Sequence, residues 1–439
     1  MTTQTVESGA SGAPAPAPGV PFLPMSLLVA SAIVGAIGNA GLQSVLPAIG
    51  RKVGIPDALI AGVFAVSSLM FVVTSPFWAR ISDRTGRKAM IILGAAGLAA
   101  SMALSGVAVS LGIAGVIGPL LCFAFFVFGR SFNGIFGAAS MPASQAYVAE
   151  RTDASNRTRA ISTIAGAFGF GMIFGPMISP FFVLPYVGLA GPLYAYAAFA
   201  IILIVAVIFW LPERPYPVGF WAAMRNPFAV AASAHARTPS GAKQGSIWFD
   251  KRIQPFLIFA VLANTASAGF TQTIGFVVID TIRLEPEHAL PYIAGVMTLG
   301  AVLTVAIQWG LIPLISISTA TLMRWGSLIS VVGCVGVALS THYWHVLAGF
   351  GLFSIGQALA RPGNTSGMSL AAGPEDQARI AGAMGQLGGT FGLGIFFVAL
   401  YSVSHPAPYW ACSAMMVGLA VYAYTNRTLA APPAAARAR

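Results

Sequence analysis

Apolar residues along this chain come in runs of about twenty, cut by short clusters of charge, proline and glycine rather than by regular alternation. A run of that length is what an α-helix needs to cross the hydrocarbon of a bilayer, and in lipid only helices or closed barrels satisfy their own backbone. Twelve spans are predicted, at 25–48, 58–79, 89–109, 113–148, 159–183, 190–211, 253–279, 289–313, 321–340, 343–370, 379–403 and 408–426. The fourth and tenth exceed a simple crossing and must tilt or protrude. The predicted fold class is therefore an all-α polytopic membrane protein. Six spans fall in 25–211 and six in 253–426, with the longest polar stretch, 212–252, between them and tails at 1–24 and 427–439.

An even number of crossings puts both ends on one side, and the basic residues choose which. Loops on the side of the ends carry Arg80, Arg84, Arg87, Lys88, Arg151, Arg157, Arg159 and most of the rest, while the opposite loops hold only Arg51, Lys52 and Arg283. The positive-inside preference then predicts cytoplasmic termini and a multi-pass protein of the plasma (inner) membrane. Composition agrees, at 57% hydrophobic and 8% charged with a mean hydropathy of +0.80. The net charge of +11 sits in short loops rather than on one basic and aromatic face, which points to anionic lipid and away from nucleic acid. Residues 1–20, rich in Ala, Pro and Gly without a basic n-region, read as a disordered tail. Trp221 to Ser233 in the central stretch reads equally as an amphipathic surface segment or an irregular linker.

Signals for an enzyme are missing. Cys122, Cys334 and Cys412 lie inside apolar runs without metal-ligand spacing, the five histidines form no cluster, and there is no nucleotide loop or nucleophile elbow. No cofactor and no metal are expected.

All twelve acidic residues fall in tails, loops or span ends, so the only charges deep in spans are Arg130 and Arg361. A cation at the bilayer centre costs roughly 2.5 to 3.5 kcal/mol even on the lenient insertion scale. With no buried carboxylate available, each must turn to backbone, water or a ligand. Two readings stay open: a tie between helices, or a site for something anionic. Arg130-Ser-Phe-Asn133 recurs as Arg361-Pro-Gly-Asn364, which suggests duplication of a six-span unit, and repeats of that kind place substrate at their interface. Asn39 and Gln43, at i and i+4 in the first span, share a helix face. The candidate substrate-binding set is Asn39, Gln43, Arg130, Asn133, Gln272, Gln357, Arg361 and Asn364. Isolated amides in membrane helices also serve simply to bond a neighbouring helix. With 29 Phe, an aromatic cavity with amide donors suits an amphipathic organic ligand.

Two further stretches stand out. Ala79 to Lys88, ARISDRTGRK, packs five charges between two apolar runs. Gly86 permits a tight reversal, and Asp83 can cap a helix start or face a helix dipole. By charge alone this is a plain cytoplasmic turn. In the fifth span, Gly171 and Gly175 at i and i+4 flatten a helix face and Pro176 bends the helix, which by packing alone is a small-residue seam.

Asp83, Arg84, Gly86, Arg87 and Lys88 resemble the D-R-x-G-R-K core of the signature loop of the major facilitator superfamily, with Ala79 where that family usually has Gly and Ile81 where it has Leu. Arg130, Asn133 and Gly134 resemble its R-x-x-Q-G motif with Asn for Gln, and Gly171, Gly175 and Pro176 resemble the core of its antiporter motif, with Ser179 for the final glycine. The resemblance covers about 25–426 and is nearest to the twelve-helix drug:proton antiporters. It implies two pseudo-symmetric six-helix bundles rocking about a central site, a monomer, and secondary active export of a small organic compound with protons as a candidate coupling ion. It also implies that Asp83 meets the start of the eleventh helix and that Arg87 pairs with an acid at the end of the fourth, for which Glu150 is the candidate. A mid-membrane carboxylate, which those antiporters carry for the proton, is absent, and two expectations remain open: coupling through Asp83, Glu150 or Asp280 at the membrane edges, or a substrate that carries the charge itself. The alternatives are a transporter of a small organic anion, such as a carboxylate metabolite or siderophore, and a non-transporting receptor with the same fold.

Overall fold

The computed structural model describes residues 20–152, 154–213, 219–227, 247–315, 317–372 and 376–430. The tail at 1–19, most of the central stretch and 431–439 lie outside the described residues. Twelve long helices run through the described part: α1 (Phe22–Val53), α2 (Asp57–Thr85), α3 (Arg87–Ile113), α4 (Pro119–Gly137, then Ser140–Ala149), α5 (Ala154–Ile178) and α6 (Gly191–Trp210). They continue with α7 (Gln254–Ile282), α8 (Pro286–Val305, running on to Leu314), α9 (Thr319–Ala338), α10 (Tyr343–Ala372), α11 (Gln377–Gln386, on to Val403) and α12 (Ala407–Thr425). Ten are long and apolar enough to cross a membrane. The two outside that set are α10, interrupted by Gln357, Arg361 and Asn364, and α12.

The fourth span starts at Pro119 rather than at 113. Gly115 takes a left-handed φ of 70°, and Pro119 opens α4 at the first helical position, where its missing N–H costs nothing. The same helix breaks at Ala138 and Ala139 before resuming. At the α2–α3 reversal Gly86 has φ 103°, a backbone that side chains avoid. Asp83 caps no helix there: it sits in the last turn of α2, and the carboxylate on the start of α3 is Glu213, whose Oε1 accepts from Lys88 N at 3.0 Å. Burial pushes the Glu213 carboxyl up from the usual carboxylate range, against the downward pull of the Lys88 N–H.

In the first half α1 packs on α5, and α3 on α4 and α6; in the second α9 packs on α10 and α12, and α7 on α11. The halves meet along two symmetry-related seams, α2 with α11 and α5 with α8, and also where α1 touches α7 and α8. Exchanging the halves (2 for 8, 5 for 11) turns one seam into the other, which is the pseudo-two-fold of two six-helix bundles. On α1, a Cβ at Gly171 would fall on Ile33 O and one at Gly175 on Ile37 O and Gly41 N, so α5 lies backbone to backbone against α1. Ser179, just beyond, bonds Ser44 Oγ (3.1 Å) and Tyr196 Oη (2.6 Å), filling the place of a smaller residue with a polar clasp.

Candidate functional site

The two halves are joined differently at their two ends. At the Arg51 end the ion pairs cross between them: Arg51 chelates Asp57 on its own half (2.8 and 2.7 Å) and reaches Asp280 on α7 (3.2 Å). Lys52 lies 3.3 Å from Glu287, and Tyr401 Oη donates to Asp280 at 2.6 Å. His405 Nε2 stands 3.9 Å from the same carboxylate. Below this, Ser44 to Gly50 are all buried and Pro47 packs against Gly275 of α7, so one apolar core runs through both halves. At the Arg87 end each described ion pair stays within its half. Arg87 contacts Asp83 and Glu150 at 2.8 Å, and Asp376 holds Arg252 and Arg379.

Between these ends lies a cleft of two lobes. The first, about 480 Å³, is lined by α1 from Ser31 to Gln43 together with Phe64, Ser67, Phe71, Arg130, Asn133, Ser140 and Phe168. The second, about 670 Å³, lies between the halves and is lined by Asn264, Ser267, Thr271, Thr304, Gln308, Phe350, Phe353, Gln357 and Arg361, among others. Ala40, Gln43, Phe168, Met172, Gly388 and Phe391 belong to both walls, so the two lobes adjoin across them. Most lining residues fall in the middle of their helices or on the Arg87 side, while Phe64, Pro176 and Phe350 lie nearer the Arg51 end.

Helix register explains which side chains arrive there. Asn39 and Gln43 share one face of α1; Asn39 Oδ1 accepts from Arg130 Nη2 (3.0 Å) and Asn133 Nδ2 (3.3 Å), while its own amide donates to Gly35 O (2.9 Å). Arg130 is 2% exposed, stands 5.9 Å from the Phe64 ring, and its Nε and Nη1 have no partner. Gln43 lines both lobes with its Nε2 unpartnered. Arg361 is open to the cleft and bonds Ser267 Oγ through Nη2 at 2.9 Å. The two arginine contacts are equivalent under the pseudo-symmetry: α4 to α1 in one half, α10 to α7 in the other.

Other candidates lie elsewhere. Gln272 does not line the cleft: its Nε2 donates to Phe391 O (2.7 Å), tying α7 to α11 where the latter tightens over Leu387–Leu393. Gln357 reaches the wall but spends its amide on Ser330 (3.2 Å). Asn364 is 3% exposed inside the second bundle and lines neither lobe. Of the turn residues, Arg84 is half-buried at the end of α2, Lys88 Nζ donates to Ile208 O (2.8 Å), and the Asp83 side chain is 62% exposed beside Arg87. Ser31, Ser67, Ser267, Ser354 and Thr304 also belong to the walls, and the sequence carries no signal for them, because serine and threonine in an apolar run look like ordinary helix residues. Gln308 sits in a widened helical turn, Ala306–Leu311, a local irregularity that is frequent at functional sites.

Two helical bundles around a cleft closed at one end define a polytopic membrane transporter rather than an enzyme. The Major Facilitator Superfamily profile matches residues 28–399, and the chain belongs to that family. It is 29% identical to Multidrug resistance protein 2 of Bacillus subtilis (strain 168) over 43% of this chain and 43% of that protein. It is 30% identical to the class D tetracycline resistance protein of Salmonella ordonez over 42% of each. These matches span less than half the length of either relative. In fold it is similar to the partially occluded, inward-open xylose transporter XylE from E. coli, with a TM-score of 0.65 at 16% identity, covering 92% of this chain and 97% of that one.

Proposed function

We propose that the protein is a secondary active exporter of a small organic compound, working by alternating access from the plasma membrane as a monomer. The observation that carries this is the two-lobed cleft between the bundles, sealed at one end by Arg51–Asp280, Lys52–Glu287 and Pro47 against Gly275, and lined mainly from mid-helix toward the other. Because the basic loops cluster at the Arg87 end, that end and both termini are cytoplasmic, and this state is the inward-facing one. Export is supported by the Gly171-x-x-x-Gly175-Pro176 seam and by the resistance proteins among the relatives.

Proton linkage has one geometric support. Asp280 is the carboxylate on which Arg51, Tyr401 and His405 converge across the halves. A proton on Asp280 would cancel its attraction for Arg51 and loosen the seal, so a gradient could bias the two states. The test is flux in proteoliposomes of purified protein under imposed proton gradients of both signs, with a panel of toxic compounds. Substrate movement that reverses with the gradient supports the reading; no flux of any compound in either direction leaves a non-transporting receptor.

A further inference from the structure

We infer that the compound this cleft accepts is an organic anion, an amphipathic molecule whose carboxylate or sulfonate head docks on Arg361. The inference rests on the cleft being the substrate site proposed above, and it adds what that site selects. Arg130 and Arg361 are the charged side chains in its walls, and among the described residues no Asp or Glu lines either lobe. Among the described residues neither arginine forms an ion pair. A low-dielectric space with two unbalanced positive charges repels a cation and attracts an anion, and the walls focus that field.

The two charges are not equally available. Arg130 is covered by Asn39 and Phe64, and its free Nε and Nη1 are out of reach behind the wall. It contributes field. Arg361 is exposed into the larger lobe, anchored only by one bond to Ser267, which leaves donors of its planar fork free for the two oxygens of a carboxylate. Around it stand Phe350, Phe353, Phe391 and Met297 for an apolar body, and Asn264 and Gln308 for further polar groups. A cationic or zwitterionic compound would find no carboxylate in either lobe to offset its charge.

The experiment is thermal unfolding of the purified full-length protein with matched sets of compounds: 1-naphthoate, biphenyl-4-carboxylate and 1-naphthalenesulfonate against the corresponding amides and methylammonium analogues. The anions are expected to stabilise the protein at concentrations at least tenfold lower than their neutral partners, with no effect from the ammonium compounds. Arg361→Gln should abolish that preference and Arg361→Lys should retain part of it; the unliganded melting curve of each variant reports whether it is folded. Equal or stronger stabilisation by the amides or ammonium compounds, an unchanged preference in folded Arg361→Gln, or no stabilisation by any member of the sets overturns the inference. Flux separates the two readings. Naphthoate bound with this preference but never moved would refute transport and leave the anion site, whereas gradient-driven export of cations alone would do the reverse.

Discussion

Arg130 and Arg361 stand at equivalent places in the two halves, each reaching from the fourth helix of its bundle to the first, yet they have opposite surroundings. Arg130 is wrapped by an Asn39–Asn133 amide pair and an aromatic ring, with two N–H groups left unmet; Arg361 holds one serine and faces open space. The difference lies in the partner on the first helix. Asparagine at 39 is long enough to meet the guanidinium and close over it, whereas serine at 267 is too short to cover it. The same duplicated pattern thus yields a strut in one half and an open charge in the other.

The largest expected effect tests the strut. Asn39→Leu takes the acceptor away from a buried guanidinium and should destabilise the protein by about 1.5 to 3 kcal/mol, read as unfolding in detergent. Arg130→Met removes the charge itself, so relief of roughly 2.5 to 3.5 kcal/mol of burial should offset the lost hydrogen bonds and keep the unfolding midpoint at or above that of the wild type. A large loss of stability in Arg130→Met would mean that Arg130 is as solvated as Arg361. The open site should behave mildly: Ser267→Ala should cost about 1 kcal/mol or less, since water replaces the serine.

The two ends of the molecule sharpen the contrast further. Asp83→Asn and Arg87→Ala touch only pairs within one half, so both proteins should fold and insert normally while transport in proteoliposomes falls severalfold; wild-type rates in both would remove any role for the turn in switching. Glu213→Gln removes a charge that burial already disfavours and keeps an acceptor for the Lys88 N–H, so stability should change by less than about 0.5 kcal/mol, the smallest of these shifts.

Much of the architecture was legible because lipid allows so few solutions. Runs of apolar residues placed nearly every helix within a few residues, and Gly86 announced the turn that its φ of 103° requires. The site was read less evenly. Arg130 and Arg361 stood out because charges in apolar runs are costly, and Asn39 and Gln43 because helical spacing aligned them. Gln272, Gln357 and Asn364 were marked by the same rule, but Gln272 ties α7 to α11, Gln357 gives its amide to Ser330, and Asn364 faces the bundle interior. Nothing in a single span tells which side of it faces the cleft.

The sequence by itself determined twelve membrane-length helices and two deep arginines without acids, since each follows from the cost of moving backbone and charge into lipid. Only the tertiary structure decided which arginine is covered and which end is sealed. Those depend on how α1 and α7 meet α4 and α10, and on Asp280 meeting Arg51 more than two hundred residues away in the chain. Such meetings are set by packing between bundles, where residues distant in sequence compete for the same space.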